Sequence, residues 1–146
     1  MKTDETKTDP NPTAATILVV DDNPINLKLV SDLLMFEGYR VLKAEDGEEA
    51  AASVEAEPPD LILLDVDLPG IDGLTLTKRL KSDQRTADIV IVALTAFAMK
   101  ADRQRAMAAG CDAYVTKPID TRGLPGQVAE LLRNKDKPNH RLENDY

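Results

Sequence analysis

Between two polar ends, the chain alternates short runs of apolar residues with longer segments whose apolar positions recur every three or four residues. The runs are TILVV (16–20), YRVLKA (39–44), LILL (61–64), IVIVAL (89–94) and AYVT (113–116). Most are continuous rather than alternating, as in strands buried on both faces. The segments between them read as helices. Asn23 and Pro24 open the first, Leu27, Val30, Leu33 and Leu34 mark its inner face, and Gly38 closes it. Asp46 and Glu49 have capping-box spacing ahead of an Ala-rich helix, which Pro58 and Pro59 stop. Gly73–Lys81 forms the third helix, with Asp72 as a turn or cap residue. The fourth spans Ala98–Ala109 and ends at Gly110. The fifth covers about 124–133, with Val128, Leu131 and Leu132 apolar. Gly123, Pro125 and Gly126 predict an irregular or mobile start for it.

Strands alternating with helices imply an α/β fold, a doubly wound parallel sheet covered on both faces. In such sheets the ligand site lies beyond the carboxyl ends of the strands. The residues there are distinctive. Asp21 and Asp22 follow the first strand, Asp65 and Asp67 the third, Thr95 ends the fourth, and Lys117–Pro118 follows the fifth. The second strand ends in Lys43–Ala44–Glu45, which has no such character. Neighbouring strands 1, 3, 4 and 5 would bring the polar groups onto one rim. The order is then 2-1-3-4-5, the flavodoxin-like arrangement.

Several carboxylates packed together need raised pKa values or a bound cation. Oxygen-rich, partly open sites suit Mg²⁺ together with phosphate oxygens. A lysine supplies a point charge for a phosphoryl oxygen, and a threonine supplies a hydroxyl. These are the parts needed to accept a phosphoryl group. Each has a plainer reading alone: Asp22 as a turn residue beside Asn–Pro, Lys117–Pro118 as an ordinary loop. Their joint placement at four of five strand ends favours the chemical one.

Composition narrows the rest. The chain has 146 residues and a formal charge of -8, which disfavours nucleic acid and anionic membrane surfaces. No apolar run approaches the roughly 20 residues of a membrane span, and the N-terminus lacks the apolar block of a signal peptide. The single cysteine, Cys111, gives no disulfide framework. These features predict a cytoplasmic protein without nucleic-acid-binding residues or membrane insertion. Residues 1–15 and 134–146 read as disordered tails flanking a domain over 16–133. His140 falls in the second tail and is given no role.

The stretches ILVVDDNPIN, PDLILLDVDLPGIDG, IVALTAFA and AYVTKPID resemble the receiver domain of two-component response regulators, the CheY-like superfamily. DDNPIN, LTAFAMKAD and AGCDAYVTKPI look especially like single-domain regulators of the DivK type. The resemblance implies that Asp65 is the phospho-acceptor. It implies that Asp21, Asp22, Asp65 and the backbone carbonyl of Asp67 hold Mg²⁺, and that Lys117 and Thr95 contact the phosphoryl group. It further implies a cis bond between Lys117 and Pro118, and a switch formed by Thr95 and Tyr114. The implied partner is a histidine kinase or histidine phosphotransfer protein. The readout surface would be the fourth helix, fifth strand and fifth helix. Such a switch catalyses only its own phosphorylation and dephosphorylation and is not otherwise an enzyme.

Two other readings are open. LLDVD with Thr95 and Lys117 also resembles haloacid-dehalogenase-type phosphatases, but their acidic pair would come late in the chain rather than at 21 and 22. A non-phosphorylated pseudo-receiver scaffold would not need the intact polar set. The Asp67 side chain and Phe97, a shield for the site or a packing residue, are left unassigned.

Overall fold

The computed structural model describes residues 15–68, 72–96 and 99–134. The predicted tails, apart from Ala15 and Asn134, lie outside the described residues, as do His140, Phe97 and Ala98. The elements are β1 (Thr16–Val20), α1 (Pro24–Phe36), β2 (Arg40–Ala44), α2 (Gly47–Ala56), β3 (Leu61–Asp65), α3 (Gly73–Ser82), β4 (Val90–Thr95), α4 (Lys100–Ala109), β5 (Ala113–Thr116) and α5 (Leu124–Asn134). All strand pairings are parallel and the order is β2-β1-β3-β4-β5.

The side-chain alternation of the strands sorts the core into two layers. Ile17, Val19, Leu61, Leu63, Val92 and Leu94 pack with Leu27, Val30 and Leu34 of α1 and with Leu124, Val128 and Leu132 of α5. The intervening Leu18, Val20, Ile62, Leu64, Ile91 and Ala93 pack with α2, α3 and α4 through Val54, Leu76, Leu80 and Ala106. The core is aliphatic, and every residue of β3 is buried.

Local signals set the helix ends. Asn23 accepts hydrogen bonds from the N–H groups of Ile25 and Asn26, with Pro24 in the first turn. The Gly38 N–H bonds Met35 O and the Tyr39 N–H bonds Leu34 O, with Gly38 at φ 98°, a left-handed helix stop. Tyr39 therefore belongs to this stop and not to β2. Asp46 caps α2 through the Glu49 N–H, but Glu49 reaches back to the N–H of Glu45 instead of Asp46, so the box is offset by one residue. Asp72 caps α3 through the N–H of Thr75 at 2.9 Å. α4 begins at Lys100 after Met99, which gives no side-chain cap. The predicted irregular start of α5 is not found: the helix runs unbroken from Leu124, and Pro125 sits in its first turn, where a missing N–H costs nothing.

Candidate functional site

The parallel sheet carries Asp21 directly off β1, Asp65 at the last position of β3, Thr95 at the last position of β4 and Lys117 one residue past β5. They meet at the carboxyl edge. Asp21, Asp65 and Thr95 are each no more than 2% exposed. Lys117 Nζ donates to Asp65 Oδ2 at 2.7 Å and stands 3.6 Å from Asp21 Oδ2, an ion pair beyond hydrogen-bond reach. The Lys117 N–H also donates to Thr95 O at 2.7 Å, tying the start of this loop to the end of β4. The Lys117–Pro118 peptide bond is cis.

The carboxylates are held by their own backbone. Asp21 Oδ1 accepts from the N–H of Asn23 at 2.9 Å, and Asp65 Oδ1 accepts from the N–H of Asp67 at 2.9 Å. Each is a short side-chain-to-backbone turn that fixes one oxygen and leaves the other facing its neighbours. Asp21 Oδ2 is buried without a hydrogen-bond partner. Carboxylate oxygens from Asp21, Asp22 and Asp65 lie within 4.8 Å of one another.

The electrostatics follow. Burial pushes the Asp21 carboxyl above its ordinary value; the Asn23 N–H and Lys117 oppose this, and the charges of Asp65 and Asp22 add to it. Burial, then the Asp65 charge, raises Asp67 as well. Burial works against the Lys117 ammonium, but the hydrogen bond and charge of Asp65, with Asp21 behind, outweigh it and its pKa ends above the usual value. One lysine faces a surplus of carboxylates. Such a set, with a desolvated and unpartnered oxygen, fits a hard divalent cation.

Thr95 and Tyr114 share one face of the sheet: Ala93, two residues before Thr95, pairs with Tyr114 across β4 and β5, and Tyr114 packs against the α2–α3–α4 layer. Tyr114 is half-buried. The Asp67 side chain is exposed at the rim.

The profile of the response regulator receiver domain matches residues 17–129. The chain belongs to this family. The receiver is 44% identical over 103 residues to the polar-differentiation response regulator DivK of Brucella ovis, covering 70% of this chain and 84% of that one. Its fold is similar to a CheY-like receiver domain protein from Methanospirillum hungatei, with a TM-score of 0.79 and 31% identity over 85% of this chain and 98% of the other. It is also similar to the receiver domain of a sensor histidine kinase from Pseudomonas aeruginosa, with a TM-score of 0.76 and 33% identity over 82% of this chain and 98% of the other. That domain has a magnesium ion coordinated in its active-site cleft. The protein is thus a receiver of two-component signalling, and among the described residues no helix is long and apolar enough to cross a membrane.

Two contributors escaped the sequence reading. The Asn23 N–H on Asp21 was hidden behind the residue's role as a helix cap, although Asp–Asp–Asn–Pro is itself a turn signal. Gly73, a helix start by sequence, packs directly on the backbone of Asp65 and Val66.

Proposed function

We propose that the receiver accepts a phosphoryl group on Asp65 from a histidine kinase or histidine phosphotransfer protein. A carboxylate oxygen of Asp65 forms the new bond to phosphorus while the P–N bond to the donor imidazole breaks, its electron pair staying on nitrogen. The observation that carries this reading is the 2.7 Å pair between Lys117 and Asp65 beside the unpartnered Asp21 Oδ2. Lys117 holds the acceptor in line and stands ready for a phosphoryl oxygen. Asp21, Asp22, Asp65 and the backbone carbonyl of Asp67 would hold Mg²⁺. Bound there, Mg²⁺ supplies positive charge against the charge on the transferring group. The Thr95 hydroxyl donates a hydrogen bond to a phosphoryl oxygen.

The response travels outward. Thr95 moving toward the added charge frees space on the sheet face that Tyr114 shares, and the surface of α4, β5 and α5 changes as a result. Output is by protein–protein contact, with residues 16–133 as the working domain.

The test is chemical. With acetyl phosphate and Mg²⁺, wild type gains one phosphoryl group and Asp65→Asn gains none. Sustained hydrolysis of phosphomonoesters would install the phosphatase reading instead, and an unmodified wild type would install the scaffold.

A further inference from the structure

Gly73 is the first residue of α3, eight positions past Asp65, and it is buried. A methyl group built on its Cα would stand 2.7 Å from Val66 Cα and 2.8 Å from Asp65 O. Both are backbone atoms, and neither can swing aside as a side chain can. The first turn of α3 therefore seats directly on the peptide that joins the last residue of β3 to the loop after it. The Gly73 N–H points at Val66 O at 3.4 Å, and Gly73 O accepts from the Thr77 hydroxyl at 2.9 Å, so this turn is braced from within α3. On the other side, the Val66 N–H bonds Leu94 O of β4 at 3.0 Å. The Asp65–Val66 peptide is clamped between β4 and a helix that approaches without a side chain.

That peptide sets the acidic site. One residue on, the Asp67 N–H bonds Asp65 Oδ1 at 2.9 Å and fixes the carboxylate plane whose other oxygen meets Lys117. We infer that Gly73 is a positioning residue: its bare Cα holds the Asp65–Val66 peptide where the Asp65–Asp67 turn aims the acceptor carboxylate at Lys117 and the Asp67 carbonyl at the metal. This rests on the reading of Asp65 as acceptor. Gly73→Ala lifts the helix or pushes the peptide, and the turn moves with it. A misplacement near 1 Å at a reacting group costs about a hundredfold in rate.

The experiment compares Gly73→Ala with Gly110→Ala, both measured as full chains well below their melting temperatures. Gly110 has φ +110°, and a Cβ there meets Lys81 Cγ at 2.9 Å, so this control is strained as well, but at the opposite edge of the sheet. Three quantities are read: Mg²⁺ affinity by calorimetry, the acetyl phosphate phosphorylation rate at saturating Mg²⁺, and the metal-free ¹⁵N–¹H resonances of Val66 and Asp67. Gly73→Ala is expected to shift those resonances, weaken Mg²⁺ binding and slow phosphorylation by about tenfold to a hundredfold. Gly110→Ala is expected to keep all three near wild type. Wild-type values in Gly73→Ala, or equal losses in both variants at matched stability, overturn the proposal. If Gly73→Ala is unfolded in buffer, the same readings are taken in trimethylamine N-oxide, which strengthens burial; wild-type values there also overturn it. A wild type that never gains a phosphoryl group defeats the acceptor reading instead, while the metal-free resonances still decide the role of Gly73.

Discussion

The two edges of the sheet solve the same problem in opposite ways. At the amino edge the polar groups are satisfied. Lys81 Nζ donates to Ala87 O, Ile89 O and Asp112 Oδ2, and the same Asp112 oxygen accepts from the Ile91 N–H. Asp60 Oδ2 accepts from the Thr16 N–H at 2.8 Å. Here a cation meets a carboxylate, and backbone groups satisfy both. At the carboxyl edge Lys117 meets a surplus of carboxylates, and Asp21 Oδ2 has no hydrogen bond. The first edge is built for stability. The second holds an excess of negative charge, which a bound cation can offset.

Breaking the amino edge should cost most. Lys81→Met leaves the poorly exposed Asp112 carboxylate without its cation and two carbonyls without their donor, and should destabilise the fold by about 3 kcal/mol. Urea unfolding with an unchanged m-value measures this. A loss below about 1 kcal/mol would erase the contrast between the edges.

The carboxyl edge should answer with the opposite sign. Asp21→Asn removes a buried charge with an unpartnered oxygen, and without Mg²⁺ it should stabilise by the order of 1 kcal/mol. In millimolar Mg²⁺ the ranking should invert, because only wild type gains binding energy. Thermal melts with and without the ion check both signs, and a variant less stable than wild type in EDTA would contradict the account.

The smallest effect at moderately alkaline pH is a sharpening one. Cys111, beside Asp112, is raised by burial from 9.0 to about 11. The unfolded chain then loses its thiol proton first as pH rises, so the native state holds more protons and stability falls with pH. The loss begins as pH approaches 9, reaches about 0.8 kcal/mol by pH 9.5, and is complete only above a pH of about 11. Cys111→Ala should remove this part of the alkaline slope; an identical slope in both proteins would refute it.

The fold was legible because its signals are local. LILL is a buried strand by composition alone, and Asn23, Asp46 and Asp72 reveal their helices because a cap acts within three residues. The strand-end polar set was legible for another reason: a parallel sheet delivers every strand's carboxyl end to one side, so topology does the gathering. Contacts that depend on tertiary packing were not legible. Lys81 and Asp112 lie 31 positions apart and look like ordinary surface charges. Ser31 reads as a polar helix residue, yet it is wholly buried and its hydroxyl has no partner. Gly73 looks like a weak helix former until the backbone beneath it is seen. The Asp67 side chain was unassigned from sequence, and the structure puts it at the exposed rim, partly covered, with its backbone amide bonding Asp65.

β5 is the shortest strand, four residues at the margin of the sheet, and none of its side chains is fully buried. β3 beside the site is sealed on every residue. The sheet is therefore stiff at its centre and more compliant at its borders, and β5 is the border next to Thr95. A displacement at Thr95 would meet a rigid wall toward β3 and a yielding one toward Thr116, its partner across the β4–β5 ladder. A disturbance spreads where the restoring force is least. Amide exchange should be fastest along β5, and that lateral softness gives a symmetric-looking sheet a direction.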